Sequence, residues 1–292
     1  MTETKLYRVG RFELTLPNDH PLDEYQQRFR LYDMALGDIA QIVAHKYPDA
    51  TAVDIGANIG DSAALICRDQ NMPVLCIEPS PTFLPYLRRN LSLLSAPTMI
   101  VPVLVGAQVS FAPIEALQPR SGTASLQIVS DPSITRVPIR PLGDILSEHP
   151  RFARPRLLKI DTDGSDFEIL LSSVEILRAT TPVLYFEYDP TFRIDGCSQA
   201  VALIESLLQT GYDRFLVYDN FGNMTELIQH DVVSRFQDLN RYLFSHAFFG
   251  RQIYYFDVCA VTRGDHDLIN VLLTHRRNVI DQAVAMNVGR HS

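Results

Sequence analysis

The sequence predicts an α/β protein built on a mostly parallel sheet with helices on both faces. Three observations predict it. Short apolar runs of strand composition alternate with amphipathic segments between residues 51 and 262. The stretch Thr51-Ala-Val-Asp-Ile-Gly-Ala-Asn-Ile-Gly60 sets a glycine-bearing turn between a strand and a helix. Strand-like runs end in acidic residues at Asp54, Glu78, Asp161 and Glu187, and parallel strands put such ends along one rim, where ligands of open α/β sheets bind.

Residues 1–50 are expected to form an N-terminal cover: a hairpin over 5–17 (Leu6, Val9, Phe12, Leu14, Leu16), then a helix over 21–46 with Tyr25, Phe29, Met34, Leu36, Ile39 and Val43 as its apolar stripe. Residues 51–262 form the main domain. Its first strand spans 51–55, with a helix near 60–69. The second strand is 73–77, followed by a helix near 81–94, and the third is 98–105. Residues 107–140 read as a β excursion in which Arg136-Val-Pro-Ile-Arg140 is an edge strand, because proline disrupts a central one. Strands at 156–160 and 182–186 follow, with helices over 166–178 and 197–209. Strands at 214–218 and 253–261 complete the sheet. Tyr218-Asp-Asn-Phe-Gly222 has turn composition. An irregular insert over about 219–252 is expected to cap an acceptor, with Phe221, Phe244, Phe248 and Phe249 as pocket or core aromatics. Residues 263–292 read as a C-terminal helix that covers the sheet or pairs with a second subunit as a homodimer.

The glycine turn and the rim of acids imply a nucleotide-like ligand. Glycines let the backbone approach closely, and a helix start offers unpaired N–H groups. Glu78 lies 22 residues past Gly56, the spacing at which an acid takes a ribose diol. The pattern is G-x-x-x-G and not the G-x-G-x-x-G that a pyrophosphate needs. S-adenosylmethionine, which has a ribose but no phosphate, fits better than NAD. Asp54 is expected to accept from its ammonium, and N–H groups from Ala57 to Gly60 to meet its carboxylate.

Net charge is −8 and no basic stripe is present, which argues against a nucleic-acid partner. The four cysteines show no C-x-x-C spacing, which suits a reducing compartment and argues against zinc. No apolar run approaches the roughly 18 residues of a membrane span, and the N-terminus lacks a signal peptide's apolar core. A cytoplasmic location is expected.

Val53-Asp-Ile-Gly-Ala-Asn-Ile-Gly60, Cys76-Ile-Glu-Pro79, Leu157-Leu-Lys-Ile-Asp-Thr-Asp-Gly164 and Pro182-Val-Leu-Tyr-Phe-Glu187, in this order and spacing, resemble the FkbM family of S-adenosylmethionine-dependent methyltransferases. The likeness covers residues 50–190. Many members carry Val-Glu-Gly after the aspartate, where this chain has Thr162-Asp163-Gly164. The resemblance implies a class I, Rossmann-like fold of seven strands with an antiparallel last strand. It also implies O-methylation of a hydroxyl on a sugar, glycan or secondary metabolite. Asp54, Gly56, Asn58, Gly60, Glu78, Pro79 and Asp161 then form the cofactor set.

Transfer to an alcohol needs alignment and a general base. Asp161 is the first candidate, Glu187 the second, and His230 or His246 in the insert are further ones. Lys159 is expected on the opposite strand face from Ile160. A second route places Mg²⁺ at Asp161 and Glu187, with Asp163 and Asp189 nearby, to acidify the acceptor. Against it, Asp163 can cap the following helix and Asp189-Pro190 can start a turn. Three other readings remain open: an NAD-dependent oxidoreductase or epimerase, an RNA or protein methyltransferase, and a non-catalytic binding module that keeps the fold.

Overall fold

The computed structural model describes residues 3–113, 117–120, 123–126, 136–250 and 252–288. The N-terminal cover is a hairpin, β1 (Thr4–Val9) and β2 (Phe12–Pro17), followed by two helices, α1 (Leu22–Arg28) and α2 (Met34–Lys46). The single helix expected over 21–46 is broken, because Asp33 adopts the left-handed conformation (φ +58°) and cannot continue a right-handed helix.

The main domain runs β3 (Ala52–Ile55), α3 (Asp61–Ile66), β4 (Val74–Ile77), α4 (Leu84–Leu91) and β5 (Thr98–Val101). The excursion follows as β6 (Leu104–Val105), β7 (Ser110–Pro113), β8 (Leu117–Arg120), β9 (Thr123–Leu126) and β10 (Arg136–Arg140). The chain then returns through α5 (Leu142–Glu148), β11 (Leu157–Ile160), α6 (Asp166–Ser172), α7 (Val174–Thr180), β12 (Val183–Tyr188) and α8 (Gly196–Gln209). It ends with β13 (Tyr212–Asp219), β14 (Met224–Ile228), α9 (Val232–Phe249), β15 (Phe256–Thr262) and α10 (His266–Val288).

The main sheet has the order β14-β13-β15-β12-β11-β3-β4-β5. Strands β5, β4, β3, β11 and β12 are mutually parallel, and β15 runs antiparallel between β12 and β13. The antiparallel last strand is as expected. The sheet has eight strands instead of seven, because β14, drawn from the supposed irregular insert, adds an antiparallel edge beside β13. The rest of that insert is α9, an ordered helix whose Phe236 and Leu243 are buried in the core. The expected edge strand at 136–140 is instead the middle of a three-stranded sheet, β6-β10-β7. Pro138 is tolerated there because β6 reaches only Ile139 and Arg140, which leaves the proline a strand neighbour on one side alone.

Period-two alternation divides the core. Val53, Ile55, Leu75, Ile77, Leu158 and Ile160 face one cluster, into which Leu142 and Ile145 of α5, Ile169 of α6, Leu203 of α8 and Phe236 of α9 pack. Ala52, Cys76, Leu157, Tyr185 and Cys259 face the other, covered by the hairpin, α2, α3 and α10. The chain leaves β3 toward β4 and β5 on one side, then returns to β11 and β12 on the other. The switch point therefore lies between β3 and β11. Among the described residues no helix is long and apolar enough to cross a membrane.

Candidate active site

A cavity of about 340 Å³ opens at that switch point, walled on one side by the N-terminal cover. Its lining includes Gly56, Asn58, Glu78, Pro79, Asp161 and Glu187, so six residues named from the sequence converge. Asp54 and Gly60 are not among them.

Asp54 lies inside β3, fully buried, opposite Lys159 in the β11 register. Lys159 Nζ sits 3.3 Å from Asp54 Oδ1 and 3.3 Å from Asp161 Oδ2, and donates to the Gly56 carbonyl at 3.1 Å. Burial alone would lower the lysine's pKa, but Asp161 and Asp54 outweigh it and hold the group well above its usual range. Asp54 thus anchors a buried ammonium and is not among the cavity's lining residues. Burial raises its own carboxyl, opposed by Lys159.

The glycines act within the protein. A Cβ on Gly56 (φ +78°) would lie 1.8 Å from the Asp161 carbonyl oxygen, so the residue is set by the junction of β3 and β11. Gly60 (φ +91°) turns the chain into α3 against Leu87 of α4. Three of the four N–H groups from Ala57 to Gly60 are engaged within the protein: Ala57 donates to Ile77 O, Asn58 to Glu78 Oε2 and Gly60 to Ala57 O. A ligand carboxylate would not find these three free, and α3, at six residues, offers a weak terminus.

Glu78 is held rigidly. Oε2 accepts from Asn58 N at 2.8 Å and Oε1 from Ser80 N at 2.7 Å. Each oxygen keeps a second lone pair for a hydroxyl. Burial pushes the carboxyl up to about 7, against the two backbone donors.

Across the cavity, strand register assembles an acidic face. Lys159, Tyr185, Glu187 and Asp257 share the side of the sheet that carries Asp54, and Glu187 stands directly opposite Asp257 across β12 and β15. Lys159 and Ile160 take opposite faces, as expected. Tyr32 and Asp33 of the cover close the cavity from the other side with Tyr255. Burial, reinforced by neighbouring carboxylates, holds Asp33, Glu187 and Asp257 well above the usual carboxylate range. Asp163, in a left-handed conformation (φ +52°), is pushed to about 7 by burial and by Asp161. It does not cap α6. Asp166 instead ties the loop, accepting from Thr162 N and Oγ1 at 3.2 and 2.9 Å.

His246 lies on α9, whose buried side packs on the other core cluster, and His230 is exposed. Neither lines the cavity. Phe221 stacks on Phe29 at 4.2 Å, while Phe244, Phe248 and Phe249 are exposed on α9, so none forms an acceptor pocket. Asp189 starts the expected turn, with Oδ1 accepting from Thr191 N at 2.7 Å. Asp161 and Glu187 share the cavity, but among the described residues no three His, Cys, Asp or Glu group as metal ligands.

Sequence reading missed Asp33, Tyr32, Asp61 and Asp257. Asp257 carried a signal: a charge inside the apolar run Ile253-Tyr-Tyr-Phe-Asp-Val-Cys. Asp33 was hidden by the assumption of one continuous helix.

A model of the methyltransferase FkbM domain matches residues 54–215. The hexuronic acid methyltransferase AglP of Haloferax volcanii is 26% identical over 136 residues, which cover 45% of this chain and 53% of that protein. The chain thus matches about half the length of that curated relative. Among solved structures, a methyltransferase FkbM from Methylobacillus flagellatus is 20% identical, with 48% of this chain and 33% of that chain covered and a TM-score of 0.36. A TehB-like S-adenosylmethionine-dependent methyltransferase from Corynebacterium glutamicum is 11% identical, with 82% and 96% covered and a TM-score of 0.38. The family model spans more than half of the residues, including the Asp54 turn, Glu78, Asp161 and Glu187, and this chain belongs to the FkbM methyltransferase family.

Proposed function

We propose that the chain transfers a methyl group from S-adenosylmethionine to a hydroxyl of a small molecule or glycan, with a sugar as the favoured acceptor class. The observation that carries this reading is the cavity at the switch point, whose lining brings Glu78 together with the Lys159–Asp161–Glu187 group. The sugar-directed activity named for the Haloferax volcanii relative supports the acceptor class.

The residues suit the donor. Glu78 presents two fixed carboxylate oxygens, each with a lone pair left for the ribose diol, and Pro79 and Asn58 flank it. When bound, S-adenosylmethionine supplies a methyl already activated on a sulfonium. Asp61 favours the positive charge of that donor. Asp161 accepts the acceptor's hydroxyl proton, which turns a weak nucleophile into a strong one. Lys159 fixes the Asp161 carboxylate from below. Glu187, which burial and its neighbours favour in the protonated form, donates a hydrogen bond that orients the acceptor oxygen. The N-terminal cover excludes water on one side. A divalent cation at Asp161 and Glu187 is the alternative route to the same deprotonation, and no step above passes through it.

Calorimetric titration with S-adenosylhomocysteine and, separately, NAD tests the donor. Labelled-methyl transfer to a panel of glycosides, tRNA and protein tests the acceptor. Binding of S-adenosylhomocysteine with transfer to glycosides is expected. Tight binding of NAD alone, or transfer confined to tRNA or protein, would overturn the reading.

A further inference from the structure

We infer that the acceptor end of this cavity is built for a hydroxylated acceptor bearing a positive charge, an amino sugar or related amino alcohol, and that Asp33 and Asp257 hold its ammonium. The inference rests on the methyl-transfer reading above and names the acceptor's charge.

Glu187 and Asp257 are direct cross-strand partners, which puts two carboxylates side by side on one sheet face. Both ionised, they would oppose strand pairing, and burial with neighbouring carboxylates favours their protonated forms. Asp33 enters the same cavity from the cover, and Lys159 is the one Lys or Arg among the described lining residues. That lysine is already committed to Asp54, Asp161 and the Gly56 carbonyl. A carboxylated acceptor would meet net negative charge with no free cation to receive it. An ammonium would favour ionisation of Asp33 and Asp257, which burial and neighbouring carboxylates otherwise oppose.

Asp33 is held in place, not merely exposed to the cavity. Its backbone is left-handed, at φ +58°. The segment before it is clamped from below: a Cβ on Gly222 would lie 1.9 Å from Leu31 O, so the β13–β14 turn presses directly on the backbone there. Arg276 of α10 donates to the Gly222 carbonyl at 2.8 Å, and Phe29 stacks on Phe221 at 4.2 Å. A left-handed aspartate next to a clamped segment, lining the same cavity as a second carboxylate, is an arrangement that stability alone disfavours. Tyr32 and Tyr255 add aromatic walls, and rings beside carboxylates suit an ammonium.

The test is calorimetric binding of methyl glucosaminide, methyl glucoside and methyl glucuronide to the full chain, with and without S-adenosylhomocysteine. The expected order is amine over neutral sugar by about tenfold, with the glucuronide weakest. In Asp33→Asn/Asp257→Asn, and in Asp257→Asn alone as a milder check, the amine preference should fall to within about threefold. These substitutions keep side-chain shape and remove repulsion, and a thermal melt confirms folding. Equal binding of the three probes, tighter binding of the glucuronide, no binding of the amine, or a preference that survives the double substitution overturns the inference. Absence of S-adenosylhomocysteine binding would instead sink the donor reading, and the amine titration of the free protein would still decide this one.

Discussion

Replacing Glu78 separates its two roles. The carboxylate accepts two backbone N–H groups, from Asn58 at 2.8 Å and Ser80 at 2.7 Å, and is proposed to take the ribose diol. Its pKa is raised by burial from 4.5 to about 7. Between those values the folded protein holds more protons than the unfolded chain, so stability falls as pH rises. The contribution is fully present below pH 4.5 and is lost as pH climbs through about 7. The shift corresponds to about 3 kcal/mol. Donor binding should run the other way, since the ionised carboxylate is the better acceptor for hydroxyls. Affinity for S-adenosylhomocysteine should therefore rise between pH 6 and 8. Glu78→Gln should weaken it by about 10–100-fold, from the loss of charged hydrogen bonds of about 1.5–3 kcal/mol, and flatten its pH dependence. Calorimetry across pH, with thermal unfolding of the free protein in parallel, reads both effects. A Glu78→Gln protein that binds as tightly as the wild type, or a wild-type affinity that falls with pH, would refute the reasoning.

Asp161→Asn should lower turnover by about 100-fold or more while leaving S-adenosylhomocysteine affinity within about threefold; retained turnover removes Asp161 as the base. Lys159→Met leaves Asp54 buried without its cation and should cost about 3–5 kcal/mol in urea unfolding; an unchanged midpoint would contradict the buried pairing. Turnover should persist after EDTA treatment, and a loss restored by Mg²⁺ would establish the metal route.

The parallel sheet and its rim of acids were legible because short β-branched runs and a glycine turn are local signals. Glu78, Asp161 and Glu187 reached the cavity as strand positions dictate. The role of Asp54 was not legible, since its pairing with Lys159 depends on the β3–β11 register, and register is a tertiary fact. The engagement of the glycine turn was hidden for a related reason: the Ala57 and Asn58 N–H groups donate to Ile77 and Glu78, contacts made only once β4 lies alongside β3. The break at Asp33 was masked by an apolar stripe that continues across it. Reading 219–252 as an irregular insert left α9 unseen, although Phe236 and Leu243, seven residues apart, share the helix face that packs into the core.

The most direct measurement is a crystal structure of the protein with S-adenosylhomocysteine. The account predicts density in the switch-point cavity, with the ribose hydroxyls on the Glu78 oxygens and the sulfur facing Asp161. Density that placed the ribose away from Glu78, or no density at a saturating concentration, would contradict it.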